Sequence, residues 1–570
     1  MNDWRRYTEI PRIAYFSMEI GLTAEIPTYS GGLGVLAGDT IKSAADLKLP
    51  LVAVTLISRK GYFRQTFNDD GWQQESSVNW NPEELLELLP GKILVTIENR
   101  DVKVQAWMYQ VKSPTGGELP VLFLDTDIPG NMPEDREITD HLYGGDMGYR
   151  LKQEIVLGIG GARLLQLLGF QIRKYHLNEG HASLLTLELL NHQRRPVEDS
   201  WDEHTSWDTS RVQEMCVFTT HTPVTAGHDR FPYDLVERIM GDVIPMDRLK
   251  ELGGKDELNM TMLALNLSHF INGVAKKHGE ISQALFPGFK VNAITNGIHP
   301  FTWTSPYLAP LYDKYLPGWA NEPELLVRVD NIPDQEIDEA HTKAKVSLFQ
   351  YIEETTGTQL DPKILTIGFA RRVTAYKRAN LIFTDPQRLL KIGGGKLQLV
   401  FAGKAHPRDD YGKGMIQEIF QQADFFGDNL KIVYLANYNM DLAIRLIPGV
   451  DIWLNNPLRP LEASGTSGMK AALNGVPNFS VLDGWWIEGH IEGVTGWSIG
   501  PSPTETTADI NNSDEDVRDL YMKLEQTIIP LYYEDHTGWV KLKKNVIGKN
   551  AYYFNTHVMM RRYVTEAYLR

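Results

Sequence analysis

The 570-residue chain has a single cysteine, Cys216. An intramolecular disulfide is therefore excluded, and such sparing use of cysteine is that of a reducing compartment. Cys216 sits in the apolar run Met215-Cys-Val-Phe218, with nothing nearby to lower its pKa, so it reads as a buried structural thiol and not as a nucleophile. Long hydrophobic runs are also missing: no stretch of about 18 apolar residues occurs, and Met1-Asn-Asp-Trp-Arg-Arg-Tyr7 lacks the apolar centre of a signal peptide. The expected location is the cytoplasm, with no membrane contact. Positive charge is in deficit, 57 Lys and Arg against 73 Asp and Glu for a net charge of -16. Binding to nucleic acid or anionic lipid needs a basic face, so neither is an expected partner. An anionic substrate must instead meet a local cluster of cations. Repeats and low-complexity segments are absent. His176, His181, His221, His228 and His299 border apolar strands, but no pair has the spacing of a helical zinc motif and cysteine ligands are lacking, so no metal is expected.

What is present is ordinary globular material, 42% hydrophobic and 23% charged, in a chain longer than one hydrophobic core usually supports. Two large domains are the natural expectation. Apolar runs of strand length alternate with segments of helical period, which is the pattern of parallel sheets covered by helices. Strands are predicted at Arg12–Phe16, Leu51–Leu56, Val217–Thr220, Ile364–Gly368, Leu399–Ala402, Lys431–Leu435 and Val450–Leu454. Helices are predicted at Asp39–Leu47, Arg150–Leu168, Pro333–Glu354 and Met440–Leu446. The stretch from Asn296 to Pro317 is rich in proline and turn residues, and strand–helix alternation restarts at Ile364. The expected division is 1–297 for an N-terminal α/β domain, 298–550 for a C-terminal α/β domain, and 551–570 for a helix able to return to the first. Two such domains facing each other place the carboxyl ends of both sets of strands at one cleft.

Three motifs carry chemistry. Glu462-Ala-Ser-Gly-Thr-Ser-Gly-Met-Lys470 leads from a glycine- and hydroxyl-rich turn to one lysine, between a predicted strand and the helix beginning at Met469. Free backbone N–H groups at such a start attract anions; a plain strand-to-helix turn of small residues is the alternative. Thr28-Tyr-Ser-Gly-Gly-Leu-Gly-Val-Leu36 sets adjacent glycines before a helix, where backbone approaches a ligand without a Cβ in the way. Gly368-Phe-Ala-Arg-Arg-Val-Thr-Ala-Tyr-Lys-Arg378 puts four cations within eight residues directly after a strand, a density that suits phosphate better than a solvated face. Regular helix would align Arg372 and Lys377 poorly, so one of them is expected on the loop before it. His221 and Asn296 are candidates for hydrogen bonds to a polyhydroxylated substrate.

Together these segments resemble the α-glucan phosphorylases, the glycogen, starch and maltodextrin phosphorylase family that uses pyridoxal phosphate. The likeness runs from Tyr15 to about Trp486. Its anchors, in the family's order, are Ser30-Gly-Gly-Leu-Gly34, Arg150-Leu-Lys-Gln-Glu154, Asn178-Glu-Gly-His181, Thr220-His-Thr222, Thr295-Asn-Gly-Ile298, Arg372 to Arg378, Gly403-Lys-Ala405, Glu462 to Lys470 and Leu482-Asp-Gly484. The resemblance implies two Rossmann-like domains with a deep cleft, the GT-B glycosyltransferase fold. It implies that Lys470 forms the Schiff base with pyridoxal 5'-phosphate, and that Arg371, Gly465, Thr466 and Gly32 lie near the cofactor phosphate with Tyr438 in its pocket. Arg372 and Lys377 are implied to hold the substrate phosphate, helped by the backbone of Gly31 and Gly32. His221, Asn296, Glu462, Ser464 and Gly465 are implied to bind the glucosyl unit, and His181 falls with the substrate groups.

The reaction so implied is phosphorolysis of an α-1,4-glucan, glycogen or maltodextrin, from its non-reducing end by inorganic phosphate, giving glucose 1-phosphate with retention. A homodimer is compatible with it. This sequence departs from the animal and plant enzymes at Ser467-Gly468, where they have Gly-Asn, at Asn455-Asn-Pro-Leu-Arg-Pro-Leu461, and at Arg371, where lysine is common. The chain starts close to its first glycine motif, so allosteric control by an N-terminal phosphorylation or nucleotide segment is not expected. A nucleotide-sugar-dependent glycogen or starch synthase shares the two-domain fold, the early Gly-Gly-Leu, an Arg-x4-Lys pair and a late glutamate, but needs no Schiff-base lysine. A non-catalytic glucan-binding protein would need neither that lysine nor Arg372, Lys377 and Glu462 together.

Overall fold

The computed structural model describes residues 4–10, 12–194, 207–224, 227–502 and 513–570. A run such as Leu51-Val-Ala-Val-Thr-Leu56 has no polar face to offer water, and all of it is buried, as in a strand covered on both sides. Around it lie β1 (Ile13–Ser17), α1 (Gly32–Asp46), β2 (Leu51–Leu56), β3 (Glu87–Leu88), β4 (Ile93–Ile97), β5 (Arg100–Lys112), β6 (Glu118–Asp125), α2 (Met147–Ile155), β7 (Lys174–Asn178), β8 (Cys216–Thr219), β9 (Phe270–Gly273) and β10 (Val291–Ala293). They form a ten-stranded sheet in the order β10-β9-β8-β7-β1-β2-β6-β5-β3, with β4 beside β5. Pairing is parallel from β10 to β6 and antiparallel at β5 and its neighbours. The antiparallel end is an addition to the parallel pattern read from the sequence. Its physical sign is the alternating burial of β4, whose Ile93, Val95 and Ile97 point inward while Leu94 and Thr96 face out.

The second sheet follows α3 (Asp334–Thr356) and comprises β11 (Leu365–Ala370), β12 (Leu397–Ala402), β13 (Ile432–Leu435), α4 (Met440–Leu446) leading to β14 (Ile452–Asn455), α5 (Ser467–Leu473), β15 (Asn478–Val481) and β16 (Gly496–Ile499). All pairs are parallel, in the order β13-β12-β11-β14-β15-β16. Strand order therefore reverses between β11 and β14, and in the first sheet between β1 and its two neighbours β2 and β7. Such reversals open a crevice at the carboxyl ends of the strands, where open α/β sheets bind ligands.

Two connections bring the sheets together. The hairpin of Arg64–Phe67 and Gln73–Ser76 reaches the second sheet, where Gln65 Nε2 donates to the Gly403 carbonyl at 2.8 Å and Gln73 Nε2 to that of Ala405 at 2.9 Å. Near the C-terminus, α6 (Thr556–Tyr563) lies on α1, with Thr556 Oγ1 2.5 Å from Ser43 Oγ. Met559, Met560 and Tyr563 join a core containing Tyr15, Leu36 and Ile41, and Tyr568 OH meets His176 Nδ1 at 2.7 Å. Among the described residues no helix is long and apolar enough to cross a membrane.

The predicted helix Asp39–Leu47 begins seven residues earlier than expected, at Gly32. Three glycines over the first two turns argue against helix by propensity, but packing demands two of them. A Cβ on Gly34 would lie 2.6 Å from Glu19 Oε2, and one on Gly38 only 1.8 Å from the Gly21 carbonyl oxygen. The start of α1 is thereby pressed onto the loop after β1, which fixes where its free N–H groups point. Gly38→Ala is accordingly expected to destabilise the protein by about 3 kcal/mol, since backbone and not a flexible side chain must give way. A urea midpoint within experimental error of the parent would contradict this packing.

Candidate active site

The strand β11 ends in Ala370, and the chain leaves the sheet at Arg371 with its next residues on a loop before a short turn at Ala375–Lys377. Arg372 thus lies on the loop and Lys377 on the turn, as the helical misalignment of the pair requires. Across the strand-order reversal, β14 ends at Asn455 and leads through Glu462 to α5. Arg371 hydrogen-bonds Asn455 Oδ1 and pairs with Glu462 Oε2, and the same carboxylate oxygen takes Lys377 Nζ at 2.5 Å. Burial alone would raise the Glu462 pKa, but the two cations outweigh it and hold the group near 2. Its backbone N–H donates at 2.8 Å to Asp483, whose carboxyl is pushed up to about 7 by burial and by the Glu462 charge.

The three cations differ in what holds them. Arg371 and Lys377 are fixed by Glu462, whereas Arg372 is exposed and has no hydrogen bond or ion pair to a described residue. Its charge is felt at Tyr62, which burial drives upward and Arg372 partly restrains, and at His406. Arg378, counted with the cluster in the sequence, belongs elsewhere. It bonds the carbonyls of Asn456 and Pro457 and pairs with Asp516 at 2.7 Å. Its role is to brace the Asn455–Leu461 connection.

Lys470 stands on α5 and is 6% exposed. Its Nζ lies 3.6 Å from the ring centre of Trp303, whose Nε1 donates to both oxygens of Asp39 at 2.9 and 2.8 Å. Desolvation lowers the Lys470 pKa to about 8, against the attraction of Asp39 and with the repulsion of Lys42. A neutral amine is therefore within reach at physiological pH. Labelling of Lys470 by an aldehyde and borohydride is expected to be half-maximal near pH 8, when followed by peptide mapping over a pH series. A half-point above about pH 10, that of an ordinary lysine, would refute this environment.

The turn before α5 is shaped by Gly465, whose φ of 78° favours glycine. Ser464 Oγ is buried without a hydrogen-bond partner among the described residues, as are Arg371 Nε and Asn296 Oδ1. Thr466 ends the turn and accepts the Lys470 N–H at 3.2 Å. The departures at 467 and 468 have packing reasons. Ser467 Oγ accepts from Trp453 Nε1 at 3.1 Å, and a Cβ on Gly468 would lie 2.3 Å from Asn478 Oδ1. Tyr438, half-buried after β13, has its pKa raised by burial and restrained by Arg371.

From the first sheet come the glycine turn and the polar groups. A Cβ placed on Gly31 or Gly32 would meet no atom within 4 Å, so the backbone there borders open space. The Gly31 N–H is taken by Glu19 Oε2 at 3.2 Å, whereas that of Gly32, at the start of α1, has no acceptor among the described residues. His221 and Asn296 line one small cavity together. His221 Nε2 is 2.7 Å from Asn178 Oδ1, and burial lowers its pKa to about 3, leaving a neutral ring. His181 stands apart from that pair, its Nε2 3.5 Å from Asp229 Oδ2 and its Nδ1 buried without a partner.

Two positioning carboxylates escaped the sequence reading. Glu19 gathers the N–H groups of Ser30 and Gly31 and the Tyr143 hydroxyl, and so holds the glycine turn. Asp39 orients the tryptophan beneath Lys470. The available signal for Glu19 was an acid directly after a buried strand and before the Gly-Gly pair; for Asp39 there was none.

The sequence profile of a family described as carbohydrate phosphorylase matches residues 241–496. The chain is 40% identical to the maltodextrin phosphorylase of Thermococcus litoralis, over 98% of this chain and 70% of that one. Against the glycogen phosphorylase of Mycobacterium tuberculosis it is 38% identical, with the same two shares. The glycogen phosphorylase of Aquifex aeolicus is 36% identical, over 100% of this chain and 88% of its own.

Proposed function

Because the chain belongs to the α-glucan phosphorylase family, we infer that it acts at the cleft just described as an α-1,4-glucan phosphorylase. It is a glycosyltransferase that cleaves α-glucan with inorganic phosphate and releases glucose 1-phosphate. Attack from the non-reducing end with retention of the α configuration is the finer reading. The two sheets are taken as the paired units of a GT-B fold, divided near residues 297 and 298, with 551–570 returning to the first. Support comes from the strand-order reversals, which gather the candidate residues at carboxyl ends of both sheets.

The residues suit pyridoxal 5'-phosphate. A desolvated lysine lies on an aromatic face, glycine backbone borders open space, and Arg371 Nε and Ser464 Oγ are buried without partners. Lys470 would carry the group, Arg371, Thr466, Gly465 and Gly32 would receive its phosphate, and Tyr438 would border its ring. When bound, the cofactor contributes its phosphate as an acid–base partner beside the substrate phosphate, in place of the electron-sink chemistry usual for it.

The chain's own groups do the rest. Arg372, with no hydrogen bond or ion pair to a described residue, binds the substrate phosphate with Lys377. That phosphate gives a proton to the departing glycosidic oxygen, and its oxygen then bonds the anomeric carbon. Neutral His221 with Asn296 and Ser464 orients the glucosyl hydroxyls without adding charge. Glu462 is not assigned the nucleophile's place that an ordinary retaining glycosidase would require, because its Oε2 is already taken by both Arg371 and Lys377. His181 is assigned to the glucan side of the site.

The single observation that carries this reading is the buried, pKa-lowered Lys470 within the same turn-and-helix as the cation-anchoring Glu462. A synthase is not favoured, since a nucleotide-sugar donor has no use for such an amine. Incubation with maltoheptaose and phosphate, followed by 31P NMR, should yield α-glucose 1-phosphate. Glucose transfer from a nucleotide sugar, without phosphorolysis, would defeat the proposal. A homodimer and a cytoplasmic location rest on the family resemblance and on the single cysteine.

A further inference from the structure

Along α1, one turn beyond Asp39, a second cavity of about 260 Å³ opens between α1, the end of β5 and the segment His299–Thr302. None of the residues assigned above to glucan, phosphate or cofactor lines it. Its inner wall holds Lys42, a half-buried lysine whose Nζ donates to Thr302 Oγ1 at 3.1 Å. No carboxylate lies within ion-pair distance of it among the described residues, and the charges of Asp39 and Asp46 reach it only from further off. An ammonium has three donors, and a desolvated one with a single neutral partner is costly.

The nearest acid does not supply the missing acceptors. Asp46, one turn further on α1, accepts His299 Nε2 and His557 Nε2 on Oδ2, both at 2.8 Å, and Ser113 Oγ on Oδ1 at 2.6 Å. His299 Nδ1 in turn contacts Thr302 Oγ1 at 2.8 Å. A directed chain therefore runs from Lys42 through Thr302 and His299 to Asp46. The triad of Asp46, His299 and His557 has the residue types of a metal site, but both imidazole nitrogens spend their protons on one carboxylate oxygen. At the mouth stands exposed Lys112, with no acid partner among the described residues, beside the rings of Tyr109 and Phe301.

We propose that this cavity is a second ligand site, for the phosphoryl group of a small phosphomonoester or for free phosphate, held between Lys42 and Lys112. Two lysines outnumber the one carboxylate of the wall, Asp46, whose oxygens are already taken by His299, His557 and Ser113, and the net positive charge left over selects an anion. Ser113 and the two rings suit a compact hydroxylated body. The burial that lowers the Lys42 pKa is relieved when an anion sits beside it.

Selenate soaked into crystals of the holoenzyme should give an anomalous peak within hydrogen-bonding distance of Lys42 Nζ, besides any peak at Arg372. Lys42→Met should remove the first peak and leave the second. Titration of the Arg372→Ala holoenzyme, in which active-site binding is weakened, separates the sources. Ribose 5-phosphate binding about tenfold more tightly than inorganic phosphate identifies an ester ligand, and equal affinity identifies free phosphate. If Lys42→Met does not fold, Lys112→Ala at the solvent edge should still weaken the titrated binding at least about threefold. Absence of selenate at Lys42 when Arg372 carries it, or a peak that survives Lys42→Met, overturns the proposal.

Discussion

Lys470→Ala is expected to abolish phosphorolysis, with activity falling by at least about 10³-fold, and to leave no pyridoxal phosphate on the protein after borohydride reduction. The fold should survive. Removing the amine takes one attraction from buried Asp39, but that carboxylate keeps both hydrogen bonds from Trp303 and the charge of Lys42 nearby. What disappears is the only lysine of α5, and with it the covalent tether. Lys470→Arg restores charge over the Trp303 face without a nucleophilic amine, and should be as inactive as the alanine variant. That pair separates an electrostatic role from a covalent one. Retained label with lost activity would move the tether to another lysine and undo the assignment of the cofactor site.

How much of this was legible beforehand depends on whether the signal was local. The Glu462–Lys470 stretch carries glycine, hydroxyl and lysine within one turn, so the site at the β14–α5 connection could be read directly. Strand cores such as Leu51–Leu56 and Leu399–Ala402 announced themselves as continuous apolar runs, and the helix Met440–Leu446 has the bounds predicted for it. Long-range contacts left no such trace. Gly38 is fixed by the Gly21 backbone, and Asp39 by a tryptophan 264 residues away. Neither partner lies within any window a pattern can span. The cation count misled in one respect for the same reason. Arg378 looks like its neighbours in sequence, yet it is claimed by Asp516 from a distant helix.

Arg372→Ala should lower kcat/KM for phosphate by about 10²–10³-fold, the second largest effect expected, while stability changes by less than about 0.5 kcal/mol. The asymmetry follows from its surroundings. Arg371 and Lys377 share Glu462, so truncating either removes one of the two cations that seat this buried carboxylate and disturbs folding along with function. Arg372 is exposed and unpaired to described residues, so its guanidinium contributes nothing that the fold needs. Among the described residues no acid pairs with its charge, which leaves the guanidinium's donors to a ligand. Arg372→Lys keeps the charge but loses the planar fork that meets two phosphate oxygens at once, and should recover only part of the loss. Raising ionic strength should weaken phosphate binding less in Arg372→Ala than in the parent, because the screened term has been removed. Equal catalytic loss at Arg372 and at exposed Arg408 would show that general positive potential, and not a placed phosphate ligand, had been measured.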